Sequence, residues 1–216
     1  MEPHDAALEA AATAYAAAVS ALEPLLKEAD DYYSREDYKD DRMAKGKALH
    51  PRLVAAWDGF ANADRTLRDA VEAINDKRAL AKLAAIEQSE GRKTHYYIEA
   101  LMIQAKRVLR AADASKPDLA AITQAVGAYE DAVKGADAAS GAGDGPKIGS
   151  LFMSDANAYL VTAKQLMRRI RDHVPYSSGD KMMIGAGSGW MVEGSPPRLV
   201  RDYNQLVDAY NRGPRI

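Results

Sequence analysis

Residues 8–33 read "LEAAATAYAAAVSALEPLLKEADDYY". Leu8, Ala12, Tyr15, Val19, Leu22, Leu26, Ala29 and Tyr33 step alternately by four and by three. That spacing keeps one apolar stripe on one face of a long helix. A strand would alternate at every second residue, and this segment does not. Pro24 lies off the stripe and predicts a kink, because its ring clashes with the carbonyl four residues back.

Further stripes follow along the chain. Leu53, Trp57, Phe60, Leu67, Val71 and Ile74 form a second, with Pro51 suited to a first helical turn. It extends through Leu80, Leu83 and Ile86 as far as Gly91, where a break is expected, the alternative being one bent helix that runs on into the next stripe. Tyr97, Leu101, Ala105, Val108 and Ala112 make a third; Leu119, Ile122, Val126, Tyr129 and Val133 make a fourth. "SKPD" at 115–118 reads as the turn between them. Phe152, Ala156, Tyr159, Ala163, Leu166 and Ile170 form a fifth stripe, and Leu199, Tyr203, Leu206 and Tyr210 a last one. The expected fold is all-α. It is an antiparallel bundle of long, partly kinked helices in a single domain over 1–216, with a flexible linker at about 135–149 and a long loop at about 174–197.

Totals exclude several chemistries. With no Cys among 216 residues, disulfides, thiol nucleophiles, Cys-ligated zinc and iron–sulfur clusters are ruled out. A net charge of −2 favours neither nucleic acid nor an anionic membrane. The acidic start "MEPHD" lacks the basic region of a signal peptide, and no segment has the apolar bulk to span a bilayer, so the chain as given reads as soluble. The four His are scattered, and neither Glu-x-x-His nor His-Glu-x-x-His occurs. No metal site, no cofactor and no catalytic residue is therefore assigned. "GAGSG" at 185–189 has the wrong spacing for a dinucleotide fingerprint and no strand before it.

Two places remain for a site. "DYKDD" at 37–41 opens like an epitope tag, but it is internal and runs on into helical sequence. It reads as a helix corner, with Asp37 capping the next helix and Asp40 and Asp41 in its first turn. Tyr32, Tyr33 and Tyr38 would pack there, and the functional alternative is an acidic, aromatic binding corner made of Tyr32, Tyr33, Tyr38, Asp40 and Asp41. The second place is the loop at 174–197, rich in Met and carrying Trp190 and Met191. Long loops that keep apolar residues either fold back over the domain or serve as lids, and a short hairpin is one way this loop could fold back.

"YYSREDYKDDRMAKGKALHPRLVAAWDGF" at 32–60 resembles the signature region of the YiiG-like family, a bacterial lipoprotein family of unknown function. "DYNQLVDAYN" at 202–211 is similar to that family's closing segment. The resemblance implies an all-helical domain exported across the inner membrane and tethered by a lipidated Cys, which would precede the residues read here. It transfers no catalytic residue. The leading functional expectation is a non-enzymatic envelope module that binds a protein or a cell-wall component. The alternatives are a small-molecule binder with a Tyr-lined cleft and, ranked below it, a hydrolase without a recognisable motif.

Overall fold

A computed structural model describes residues 4–113, 118–141 and 147–214. Among these the chain is all-α. Its helices are α1 (Ala6–Ser34), α2 (Ala44–Glu90), α3 (Thr94–Asp113), α4 (Leu119–Gly141), α5 (Ser150–Arg171), α6 (Ser178–Gly185) and α7 (Pro196–Asn211). Two short 3₁₀ turns, Asp37–Lys39 and Gly189–Met191, complete the elements. Gly91, at φ +77°, ends α2 as the sequence predicts. The turn expected at 115–118 lies outside the described residues except for Asp118, and so does 142–146 of the expected linker. The first part of that linker is helical, since α4 runs on to Gly141.

The structure forms two compact units, Met1–Arg78 and Ala79–Ile216, with the division falling inside α2. The first unit is a helical hairpin. Asp5 caps α1, its carboxylate accepting the Ala7 and Leu8 N–H groups at 3.1 Å each. Leu8, Ala11, Tyr15, Ala18, Leu22, Leu25, Ala29 and Tyr32 are buried or half-buried. On α2 the matching positions are Gly46, Leu49, Leu53, Ala56, Phe60, Ala63, Leu67, Ala70 and Ile74. Each set steps by three and four, so each helix offers positions a and d of a heptad.

Half of the stripe read on α1 is therefore corrected. Ala12, Val19, Leu26 and Tyr33 are exposed and occupy position e. Two helices bury a seam only two positions wide, and a third apolar line has no partner within the hairpin. Pro51 is corrected as well: α2 begins seven residues earlier, at Ala44. Pro24 and Pro51 both point outward, at exposed positions. The carbonyls they orphan can be solvated, and the buried seam holds the helices through both prolines.

The second unit is a four-helix bundle of α3, α4, α5 and α7, with each helix packed against its neighbours in a ring. The backbone Gly149 N–H bonds the Pro214 carbonyl, joining the start of α5 to the end of α7. Gly194, just before α7, sits against the Gln165 carbonyl near the end of α5, so these two helices are antiparallel. Ala105, Ala136 and Ala156 are fully buried and let the helices approach closely. Two tyrosines tie the centre: Tyr129 Oη donates to the Ala156 carbonyl and Tyr159 Oη to the Ala105 carbonyl, both at 3.0 Å. Their rings meet edge to face at 5.2 Å.

The stretch expected as a loop at 174–197 is largely ordered into α6 and the second 3₁₀ turn, with no hairpin. Its missed signal was local. Ser177 and Asp180 form a reciprocal capping box, a signature that starts a helix too short to show a stripe.

Candidate functional site

The corner between α1 and α2 is built around Asp41. Tyr32, buried at the end of the α1 seam, donates its hydroxyl to Asp41 Oδ1 at 2.7 Å. Asp41 Oδ2 accepts the Lys45 backbone N–H at 2.9 Å. Asp41 thus caps α2, where the sequence reading had placed Asp37. The Asp37 carbonyl instead receives the Asp40 and Asp41 N–H groups within the 3₁₀ turn. The turn delays the helix by about one more turn, and this displaces the cap from Asp37 to Asp41.

The Tyr32 hydrogen bond, and then the Lys45 N–H, hold the Asp41 carboxyl below its usual range. Burial and the Asp41 hydrogen bond push the Tyr32 phenol up. Lys45 Nζ lies 5.9 Å from the Tyr32 ring centre and 3.3 Å from Glu28. Tyr33 is exposed, edge-on to Tyr32 at 5.0 Å and tilted against Tyr38 at 6.1 Å. Asp40 is exposed, with no side-chain hydrogen bond or ion pair among the described residues. So the structure brings Tyr32, Tyr33, Tyr38 and Asp41 together and leaves Asp40 outside. A cap, a buried phenol and two packed rings hold the chain's reversal.

The second place is a platform at the end of the bundle. Arg169, near the end of α5, donates to the Glu193 carbonyl at 3.0 Å and to the Pro175 carbonyl at 3.2 Å. Its guanidinium lies 4.4 Å from the centre of the Tyr176 ring, and Tyr176 Oη donates to the Gly194 carbonyl at 3.1 Å. Burial pushes the Tyr176 phenol up. Buried Ser195 caps α7: its hydroxyl donates to the Gly189 carbonyl at 2.7 Å and accepts the Arg198 N–H at 3.2 Å. Gly189 is required there, because a Cβ would stand 2.9 Å from Pro197 Cγ. "GAGSG" thus closes α6 and seats a turn.

These anchors fix Trp190 at the surface with 44% of its area exposed, and Arg201 lies 5.4 Å from its ring centre. Arg201 is in turn bound to Asp202, at 2.8 and 2.5 Å. Asp202 is only 4% exposed and also accepts the Thr162 hydroxyl at 2.5 Å. Trp190, Pro197, Val200, Arg201 and Asn204 line an open groove of about 500 Å³. Met191 is exposed beside Trp190 but does not line the groove. A second, more polar recess of about 300 Å³ lies over Gln165, Arg168, Arg169, Asp172, Val174, Glu193 and Gly194.

Sequence reasoning finds Trp190, reads Arg169 only as one of the solvated cations that end α5, and misses Ser195, Arg201 and Asp202. Ser195 before Pro196 and Pro197 was a readable cap signal. Asp202 had no signal, since an acid at a buried helix position looks like a surface residue. The Thr162–Asp202 pair is a hydroxyl on a base, but both are buried and neither lines the groove. Among the described residues no group of three or more His, Asp or Glu could hold a metal ion. His95 is half-buried, with Nδ1 2.9 Å from Glu90. No helix among the described residues is long and apolar enough to cross a membrane.

Comparison with known proteins agrees with the resemblance read from 32–60 and 202–211. A relative in Escherichia coli (strain K12), described as "Uncharacterized protein YiiG", is 40% identical over 205 residues, covering 94% of this chain. The chain spans 57% of that relative's length. No solved structure matches. The family described as a protein of unknown function, DUF3829, matches residues 1–212, and the chain belongs to it.

Proposed function

We propose that this chain is a non-enzymatic binding module of the bacterial cell envelope, recognising a protein or a cell-wall component through the Trp190 groove. The observation that carries the reading is an exposed Trp on an ordered platform. Trp190 is held from behind by the Gly189–Pro197 contact and from the side by Arg201. A large ring fixed before binding loses little entropy on contact, and such rings dominate the energetics of interfaces. The groove is open, which suits an extended segment of a partner more than an enclosed small molecule. The bundle's central tyrosines are fully buried in its core, which weighs against the alternative of a Tyr-lined cleft open to a small molecule. The envelope location, with a lipid anchor, follows from the resemblance to a lipoprotein family.

The test uses immobilised wild-type chain and Trp190→Ala against solubilised envelope proteins and soluble cell-wall fragments. The ring is exposed, so the variant should keep its melting temperature within a few degrees. A bound species retained by the wild type and reduced at least tenfold by Trp190→Ala is the expected result. Equal retention by both proteins would remove the groove from the function.

A further inference from the structure

The exposed line on α1 has a counterpart on α2. The register that sets Tyr15 against Phe60, at 5.7 Å, and Tyr32 against Gly46 also brings Val19 level with Trp57, Leu26 with His50, and Tyr33 with Met43. Trp57 is 56% exposed, Leu26 49% and Val19 38%; Tyr33 and Met43 are exposed as well. One flank of the hairpin therefore carries an apolar strip, interrupted on α2 by His50 and by the half-buried Asp64. The opposite flank carries an ionic bridge: Glu28 sits 3.3 Å from Lys45 and 3.5 Å from Arg52, joining the helices. A hairpin complete in itself would carry such ion pairs on both flanks. A third apolar line beside a and d is the pattern of helices that pack in bundles of more than two.

The borders of the strip are of opposite sign. Glu9, Glu23 and Asp30 edge it along α1, whereas Lys47 and Arg68 edge it along α2; within the chain Arg68 also pairs with Asp64 at 2.8 Å and Glu9 with His4 at 2.6 Å. We propose that this flank pairs with the same flank of a second copy of this chain, α1 of each copy lying over α2 of the other. A two-fold axis along the hairpin produces that arrangement. Because a pure rotation leaves heights along the axis unchanged, the register fixes the partners: Asp30 of each copy meets Lys47 of the other, Glu9 meets Arg68, and Ala16 meets Ala61. A two-fold axis across the hairpin would instead set the acidic edge of α1 against itself. The flank is long enough for the task. At about 1.5 Å per residue and about 10 Å per helix width, it offers roughly 600 Å² from each copy, near the lower bound of stable interfaces. The product is a four-helix bundle whose core is completed by position e.

This surface involves the first unit alone and is independent of the Trp190 groove. Sedimentation of the whole chain over a wide concentration range tests it. The wild type should show a reversible monomer–dimer equilibrium. Leu26→Asp, at an exposed position, should weaken the dimer at least tenfold with unchanged helical content. Asp30→Lys should weaken it several-fold, and Asp30→Lys combined with Lys47→Asp should restore it. A wild type that is monomeric at every concentration overturns the proposal, as does a dimer that ignores Leu26→Asp. If Leu26→Asp disturbs folding, the charge pair decides: a double variant no tighter than Asp30→Lys alone overturns this geometry.

Discussion

Asp41 shows how one residue decides a turn. Its two oxygens take donors from different helices, Tyr32 of α1 and the Lys45 backbone of α2. Asp41→Ala removes both bonds and should lower the melting temperature by about 2–4 °C, whereas Asp40→Ala, with no partner to lose, should move it by less than about 1 °C. Thermal melts followed by circular dichroism separate the two. The pH dependence has a definite sign. The Asp41 carboxyl titrates below its unfolded value, so its stabilisation is present above the ordinary carboxylate range of about 3.9 and is lost as pH falls through the lower folded value. The melting curves of wild type and Asp41→Ala should therefore converge in acid. Equal melting of Asp41→Ala and Asp40→Ala at neutral pH would contradict the assignment of the cap. From the sequence an acidic run at a helix corner was readable, but not which acid takes the cap. That choice depends on where the 3₁₀ turn ends and on a tyrosine reaching forward nine residues.

For the helices, existence and order were legible, and the buried face only in part. In α4 and α5 the predicted stripes are the buried ones, because apolar residues occupy a and d and polar residues flank them. In α1 and α7 the expected stripe lies one position off the centre of the buried face. It has Val19, Leu26 and Tyr33 where Ala18, Leu25 and Tyr32 turn inward, and Tyr203 and Tyr210, which pack at the edge of the core, where Asp202 and Ala209 are more deeply buried. Positions d and e are adjacent, so three and four are both acceptable steps, and size alone does not choose between them. In α7 a small residue and a paired acid take the buried line. The glycines make the same point in energetic terms. Gly59 lies in the interior of α2 with nothing within 4 Å of an added Cβ. Gly59→Ala should stabilise the chain by about 0.5–1 kcal/mol through helix propensity. Gly135 faces the Tyr97 ring, where a Cβ would stand 2.8 Å from Cε1. Gly135→Ala should destabilise despite the same propensity gain, because the ring must shift. Chemical denaturation of both variants measures the difference, and a stabilising Gly135→Ala would show that the helix packing is looser than described.

For the whole molecule, the two units are held by different means. The hairpin relies on one seam and one corner, and the bundle on a closed ring of four helices around tyrosines. The sequence showed many tyrosines and few phenylalanines, but not why that imbalance suits the fold. Tyr129 and Tyr159 fill the bundle centre as apolar rings while satisfying helix carbonyls that Phe would leave alone. This places two acids of high pKa where water cannot solvate their anions. Burial pushes both phenols far up, and burial also raises Tyr203 and Tyr210. An unfolded chain ionises these groups from about pH 10, and the bundle resists ionising them. Their contribution is fully present below that pH and is lost above it, by about 1.4 kcal/mol per pH unit for each phenol kept neutral. The bundle should therefore fail in alkali as a cooperative event, with helix loss and phenolate absorbance rising together. Tyr129→Phe should move that transition to higher pH, and a smooth rise in phenolate absorbance with the helices intact would count against it. The tyrosine core that closes the bundle at neutral pH is thus also a base-labile latch.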